Sequence, residues 1–446
     1  MFNRLLITVG FILSGIILTQ CTPGTSESDN SLKFDFGNGK VEKGYTQVTG
    51  DMVYNKERGY GFVCETTVED LTRANESALL QDFCTSSKPF YFQIDVPEGD
   101  YKVKITYGDE EGPTIMTVKA ESRRLMIKSS ETKAGEHATK TITINSRRPV
   151  MQNGDSINLK SREYPYLNWD SKLNLEFNNS RTCINAIEIT KVHVPKILLA
   201  GNSTVTDQEH EPWCSWGQMI TYFLSDDIVV ENLAESGETL KSFKARGRLR
   251  KLIEELDSGD YVFIEFGHND QKPNSSSYVK PWEGYQDEIR DYIAQVRAKG
   301  GNPVLVTPTA RRHWDENGEL INTHGDYPAA MKQVAEQESV PLIDLNSLSK
   351  VLYRTMGVEE SKKALVHYPA NTYPNQDKPL ADDTHFNPYG AYQLAKCIVQ
   401  GIIDLDLDLK KYIINFDSYD PAKPDDWTTF HIPESPLFEA IKPDGN

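Results

Sequence analysis

Between Leu32 and about Val192, apolar and polar residues alternate in short runs such as Lys33–Phe36, Pro89–Val96, Tyr101–Tyr107 and Lys172–Phe177. A period of two marks strands with one buried face. Turn residues such as Pro97-Glu98-Gly99-Asp100 separate the runs, and no long helical pattern interrupts them. The segment 32–193 is therefore predicted to be an all-β sandwich. After Val194-Pro195 the rhythm changes. Compact apolar runs at Lys196–Ala200, Ile228–Leu233, Tyr261–Phe266, Pro303–Val306 and Pro341–Leu345 read as buried strands. Between and after them, helical patterns cover Trp213–Ser225, Leu240–Leu256, Tyr278–Ala298, Tyr327–Gln337 and Pro388–Ile403. Strands alternating with helices predict right-handed βαβ units and a parallel sheet over 194–405. Such sheets bind ligands at the carboxyl ends of their strands. Residues 406–446, rich in Asp, Pro and aromatics, form an extension predicted to pack across the surface, against the sandwich.

A length of 446 residues suits two domains. The formal charge of −17 argues against a nucleic-acid partner, because phosphate binding depends on clustered Lys and Arg. Residues 1–21 stand apart: Arg4 is their single charge, and the apolar run Leu5–Leu18 is too short for an ordinary membrane span. The run ends at Cys21 before a polar linker, 22–31, and resembles a bacterial lipoprotein signal. Gln20 departs from the small residue usual before that cysteine. The expectation is export with a lipid anchor at Cys21 in the outer membrane, periplasmic or at the cell surface, and no other membrane contact. Cys64, Cys84, Cys183, Cys214 and Cys397 match no zinc spacing. Cys64 with Cys84 is a candidate disulfide, buried thiols being an equal reading for the others. No metal and no cofactor is implied.

Four short segments at predicted strand ends carry candidate chemistry. The first strand leads into Gly201-Asn202-Ser203-Thr204-Val205, the second into Asn232-Leu233-Ala234-Glu235-Ser236-Gly237, and the third into Gly267-His268-Asn269-Asp270. Asp382-Asp383-Thr384-His385 precedes the last helix. Singly each is ordinary: serine is common at turns, and Val205 rules out the G-x-S-x-G elbow. Jointly they supply what acyl transfer requires. A serine needs a nearby base, and the base needs an anion to fix its tautomer. The carbonyl oxygen needs preorganised N–H donors. A loop spacing of three lets Asp382 reach the ring of His385, leaving Asp383 to face solvent or cap the helix.

In this order the segments resemble the four blocks of the SGNH (GDSL) hydrolases, and most closely those of rhamnogalacturonan acetylesterases. The resemblance rests on AGNSTVTDQ from Ala200, PWCSWGQ from Pro212, Asn232 to Gly237, GHND, DDTHFNPYGA, and the stretch from Arg311 to Pro328. It implies a three-layer α/β/α fold, with Ser203 as nucleophile, His385 as base and Asp382 as its orienting acid. It places the N–H groups of Ser203 and Gly237 and the amide of Asn269 in an oxyanion hole. The preceding block resembles a galactose-binding-like sandwich in layout. The implied partner is an acetylated polysaccharide or oligosaccharide of the plant cell wall. The rivals are a general small-acyl esterase or lipase, and a binding protein that has lost catalysis. Asn202 stands where the family has aspartate. Glu238-Thr239 stands where Arg-Ser is frequent, and an acidic side chain there is expected to disfavour an anionic galacturonate ring. Arg311, Arg312 and His313 are candidates for a uronate carboxylate, and Trp314 for a sugar face. Tyr54, Tyr60, Tyr164, Tyr166 and Trp169 offer a sugar platform, with core or edge packing the favoured reading. His210, His324 and His367 read as structural or solvent-facing.

Overall fold

The computed structural model describes residues 31–63 and 66–444. The predicted signal segment, its Cys21 and Cys64 lie outside the described residues. Cys84 is a buried thiol, with its sulfur 3.5 Å from the Val48 carbonyl and 3.2 Å from Asp70 Oδ1. Among the described residues, no helix is long and apolar enough to cross a membrane.

The sandwich is organised by one 21-residue strand, Lys172–Val192, which belongs to both of its sheets. Its first part pairs antiparallel with Phe90–Asp95 and Thr114–Ala120. Its later part pairs with Leu32–Phe36, Asp82–Ser86 and Gly99–Asp109. Inward residues Phe34, Phe36, Phe62, Phe90, Phe92 and Phe177 fill the space between, with edge-on ring contacts such as Phe34–Phe92 at 5.4 Å. Trp169 is buried, with the Arg147 guanidinium 4.6 Å from its ring, and Tyr60 packs on the sandwich core. The proposed aromatic platform is therefore dispersed, and only Tyr164 stands well exposed.

The second domain is built on five parallel strands: β1 (Lys196–Gly201), β2 (Val229–Asn232), β3 (Tyr261–Glu265), β4 (Asn302–Val306) and β5 (Leu342–Ile343). Their spatial order is β2-β1-β3-β4-β5. Alternate residues of each strand face opposite layers. Ile197, Leu199, Phe263 and Val306 pack with α1 (Trp216–Met219), α6 (Leu345–Glu360) and α7 (Pro388–Asp404). Leu198, Ala200, Val262 and Ile264 pack with α2 (Leu240–Ala245), α3 (Arg248–Glu255), α4 (Gln286–Ala298) and α5 (Tyr327–Glu338). The architecture is thus an all-β sandwich followed by a three-layer α/β/α domain. Chain order reverses between β1 and β3, so the loops after these two strands diverge and open a crevice at that point.

Several elements differ from the sequence expectation. The helix expected over 240–256 is two helices, because Gly247 takes φ +82°, a left-handed conformation that ends the first. The helix expected from Trp213 begins at Trp216 and passes into a 3-10 turn at Ile220–Phe223, since the preceding residues serve the β1–α1 loop. Helix α6 was not foreseen, its Ser- and Asn-rich start masking the buried set Leu345, Leu352 and Tyr353. Asp382 to His385 belong to a strand, β7 (Leu380–Phe386), paired with β6 (Leu365–Tyr368), rather than to a loop. The pairing passes from Asp382 opposite Val366 to Phe386 opposite Leu365, so residues 383–385 bulge out of the ladder.

A turn of the sandwich, Glu121–Arg124, enters the α/β domain. Glu121 and Arg123 take φ of 51° and 64°, uncommon for residues with a Cβ and held here by dense partnering. Arg124 Nε lies 2.8 Å from Asp207 Oδ2, with both side chains buried. Arg123 reaches Glu211 at 2.5 Å and donates to the Trp213 carbonyl at 2.8 Å. Removing one partner of such a pair leaves the other charge buried without full compensation, which costs about 3–5 kcal/mol. Arg124→Ala is therefore expected to lower unfolding free energy by about that amount, measured by urea denaturation, whereas substituting the exposed Lys410 leaves it nearly unchanged.

Candidate active site

The β1–α1 loop has little regular structure, so its shape is set by side chains that answer its backbone. Asn232 Nδ2 donates to the Val205 carbonyl at 2.7 Å and to Asp207 Oδ1 at 2.8 Å. Thr206 Oγ1 donates to the Ala234 carbonyl at 2.8 Å. Gln208 Nε2 donates to the Ser203 carbonyl at 2.7 Å and lies 3.3 Å from Ser236 Oγ, joining the first two segments. Asp270 ties the third to the second, accepting from the Leu240 and Gly267 N–H groups at 2.8 Å each. The fourth segment is brought in by main-chain pairing of Cys214 N–H with the Phe386 carbonyl at 2.8 Å.

These restraints bring Ser203, His385 and Asp382 together across a separation of 182 residues: Ser203 Oγ lies 2.9 Å from His385 Nε2. His385 Nδ1 lies 2.7 Å from Asp382 Oδ2, and the other oxygen of Asp382 accepts from the Thr384 and His385 N–H groups at 2.9 and 3.1 Å. With Nδ1–H given to the carboxylate, a neutral imidazole presents a lone pair at Nε2, so the serine hydroxyl donates. Burial alone would push the Asp382 carboxyl up. The hydrogen bond from His385, with Lys442 3.3 Å away, overcomes this and holds it far below the usual carboxylate range. Ser203 and His385 are each only 1% exposed.

Gly237 and Asn269 line one cleft with Thr239, Lys272 and Ser275. Gly237 takes φ +82°, which an L side chain resists, and a Cβ there would meet Asp444 Cβ at 2.8 Å. Asn269 Nδ2 donates to the Glu238 carbonyl at 3.0 Å, so one N–H of its amide is engaged. Asn202 Oδ1 accepts from Thr204 N–H at 3.1 Å and from its hydroxyl at 2.9 Å, the task an aspartate would share. The same hydroxyl lies 2.8 Å from Glu265 Oε1. One hydroxyl hydrogen cannot serve both oxygens, but a protonated Glu265 can donate to Thr204, which then donates to Asn202. Burial pushes the Glu265 carboxyl up to about 7, in keeping with that chain.

The residues expected to meet substrate divide differently from the sequence reading. Arg312 is buried and bonded to Asp383 at 2.6 Å and to Ser361 Oγ at 3.0 Å, so its fork serves the fold rather than a uronate. Asp383 is correspondingly an ion-pair residue, 2.9 Å from His367 Nε2, and not a helix cap. Trp314 packs against the core. Arg311 is buried behind the site, donating to the His268 carbonyl at 3.2 Å; burial lowers its pKa to about 10 against the opposing charge of Asp382. Glu238, expected to repel an anionic ring, is buried and lies 2.9 Å from Lys160 Nζ and 3.3 Å from Arg246 Nε. Residues near the site that sequence reasoning did not single out are Lys160 and Arg162 of the sandwich, and Lys442 and Asp444. No motif marks them, because their position depends on how the chain folds back. Among the described residues, no group of three or more His, Cys, Asp or Glu side chains is arranged to hold a metal.

Comparison with known proteins agrees with this architecture. Residues 199–392 match the GDSL-like lipase/acylhydrolase family, and residues 32–145 match the galactose-binding-like domain of β-agarase/YXIM-type esterases. The rhamnogalacturonan acetylesterase RhgT of Bacillus subtilis is 41% identical over 222 residues, covering 49% of this chain and 94% of that protein. The uncharacterised esterase YxiM of the same organism is 27% identical over 377 residues, covering 82% of this chain and 89% of the relative. A crystal structure of YxiM, 25% identical, covers 85% of this chain and 99% of its own, with a TM-score of 0.44.

Because the Glu265 carboxyl is raised on folding, the folded chain keeps a proton that the unfolded chain releases as pH rises from its ordinary value of 4.5 to about 7. Glu265 therefore makes stability fall with rising pH in that window. Glu265→Gln, which keeps donor and acceptor without charge, is expected to gain stability relative to wild type between pH 5 and pH 8. Urea denaturation at the two pH values measures the difference.

Proposed function

The chain belongs to the GDSL-like lipase/acylhydrolase family and is a carboxylic ester hydrolase, and on that premise we propose that it removes acetyl groups from a plant cell-wall polysaccharide, acetylated rhamnogalacturonan or pectin, using Ser203, His385 and Asp382. The carrying observation is the continuous hydrogen-bonded chain from hydroxyl to imidazole to carboxylate, at 2.9 and 2.7 Å. In this reading Ser203 Oγ attacks the acetyl carbonyl while His385 Nε2 takes its proton. Asp382, held ionised, stabilises the imidazolium that forms. The N–H groups of Ser203 and Gly237 and the amide of Asn269 receive the charge developing on the carbonyl oxygen. His385 returns the proton to the departing sugar oxygen, leaving acetyl-Ser203. Water, activated by the same imidazole, then releases acetate and restores the serine.

Support for an acetylated carbohydrate comes from RhgT, whose name gives rhamnogalacturonan acetylesterase, at 41% identity. Thr239, Asn269, Lys272 and Ser275 give the cleft polar walls, which suit a small acyl group on a sugar better than a long acyl chain. Export with a lipid on Cys21 belongs to the same proposal, since the polysaccharide lies outside the cell.

Acetate released from acetylated rhamnogalacturonan, xylan and homogalacturonan tests the reading. Ser203→Ala is expected to abolish release. Asp382→Asn should lower kcat about 10⁴-fold, by analogy with the same change in serine proteases. Asn269→Ala should cost about 10²–10³ in kcat. Equal release by wild type and Ser203→Ala overturns the assignment. Cys21→Ala should move the protein from the membrane fraction to the soluble one, read by fractionation of expressing cells.

A further inference from the structure

The segment Pro433–Asp444 crosses from the sandwich to the mouth of the site, and its two halves are held differently. The first half is firmly anchored. Ser435 Oγ lies 2.6 Å from Glu176 Oε2 and 2.7 Å from Lys119 Nζ, and its N–H donates to Glu211 Oε1 at 3.0 Å. The backbone of Leu437 and Glu439 pairs with Glu211 at 2.9 and 3.2 Å, and Phe438 stacks on Tyr373 with ring centres 4.3 Å apart. Beyond Ala440 the character changes. Ile441 is 71% exposed. Lys442 Nζ then lies against Asp382, and the Asp444 carboxylate pairs with Arg162 directly over Gly237.

Asp444 therefore puts a carboxylate beside the residue whose N–H is assigned to the oxyanion hole. Its surroundings are cationic, in a protein whose overall charge is −17. Burial would raise its carboxyl, but Arg162, Lys160 and Lys272 together hold it below the ordinary range. Two of these cations have further partners: Arg162 reaches Glu235 at 2.6 Å and Lys160 reaches Glu238 at 2.9 Å. Lys272 is the surplus. Burial lowers its pKa, Arg311 and Lys442 lower it further, and Asp444 is the anion opposing them. With Asp444 withdrawn, Lys160, Arg162 and Lys272 are left with Glu235 and a Glu238 already shared with Arg246, and burial has pushed Glu235 up to about 7. The cleft then attracts one negative charge, with an Arg fork suited to a planar carboxylate.

We propose that Lys160 and Arg162 of the sandwich, with Lys272 of the α/β domain, form a subsite for the carboxylate of an acidic sugar flanking the acetylated one, and that Asp444 occupies this subsite until substrate displaces it. The inference rests on the reading of the preceding subsection. It gives the sandwich a direct part in substrate selection, and it makes the tail an intramolecular competitor. It also accounts for Glu238, whose buried charge holds Lys160 in place instead of repelling the substrate.

Calorimetric titration with digalacturonate, a product-like dianion without an ester, tests the subsite apart from catalysis. Asp444→Ala, and a chain ending at Lys442, are expected to bind it about tenfold more tightly than wild type, the order of one charge-assisted contact. Adding Lys272→Gln or Arg162→Gln to the shortened chain should cancel the gain. Lys272→Gln keeps the test open where loss of Arg162, which leaves Glu235 buried, impairs folding. Equal binding by wild type and shortened chain overturns the competitor role, and binding indifferent to Lys272 and Arg162 overturns the subsite. If the pattern holds while no acetylated polysaccharide yields acetate, the subsite stands and the esterase substrate fails.

Discussion

A serine hydroxyl 2.9 Å from an imidazole is useful only if the loop that carries it cannot relax. That loop, between β1 and α1, lacks a ladder of its own, so the constraint on which the structure depends is the buried pairing of Asp207 with Arg124. Asp207 also accepts from Asn232, at the end of the neighbouring strand. One carboxylate thus ties the Ser203 loop to a second strand end and to a different domain. Burial gives the tie its stiffness, because each charge is costly to leave unmatched in a low-dielectric interior. The sandwich is therefore part of the wall of the site.

The same economy of charge runs through the centre. Asp382 stays ionised although buried, since it accepts an imidazole N–H and two backbone N–H groups. Glu265, buried beside Thr204, is bonded by Trp216 and Thr204 rather than by a cation and is pushed toward its neutral form. Two carboxyl groups near one serine are thus driven apart in proton affinity by their partners. One accepts the imidazole N–H of His385, and the other completes a neutral hydrogen-bonded chain through Thr204 to Asn202.

The tail extends this logic to the surface. Its anchored half is joined to the sandwich by Lys119 and Glu176 and to the α/β domain by Glu211, all buried. Its outer half lays Lys442 on Asp382 and Asp444 on Arg162. A chain of net negative charge so gathers cations at the cleft beside Gly237, where the carboxylates Glu235 and Glu238 are already paired.

The β-sandwich and the five parallel strands were legible in the sequence, as were the segments that bring Ser203, His385 and Asp382 within hydrogen-bond distance, because each rests on local signals. Period-two alternation, compact apolar runs and four short segments survive in one dimension. Helix α6 and the break at Gly247 were not legible, since weak propensities and a single left-handed residue decided them. The environments of Arg312, Asp383 and Glu238 were hidden for another reason. Whether a charged side chain meets solvent, substrate or a buried partner depends on residues distant in the chain. His367, Lys160 and Arg246 reached them only after folding. Sequence determined which chemistry was present and at which strand ends; tertiary structure decided which charges were already neutralised, because burial and pairing are properties of three dimensions.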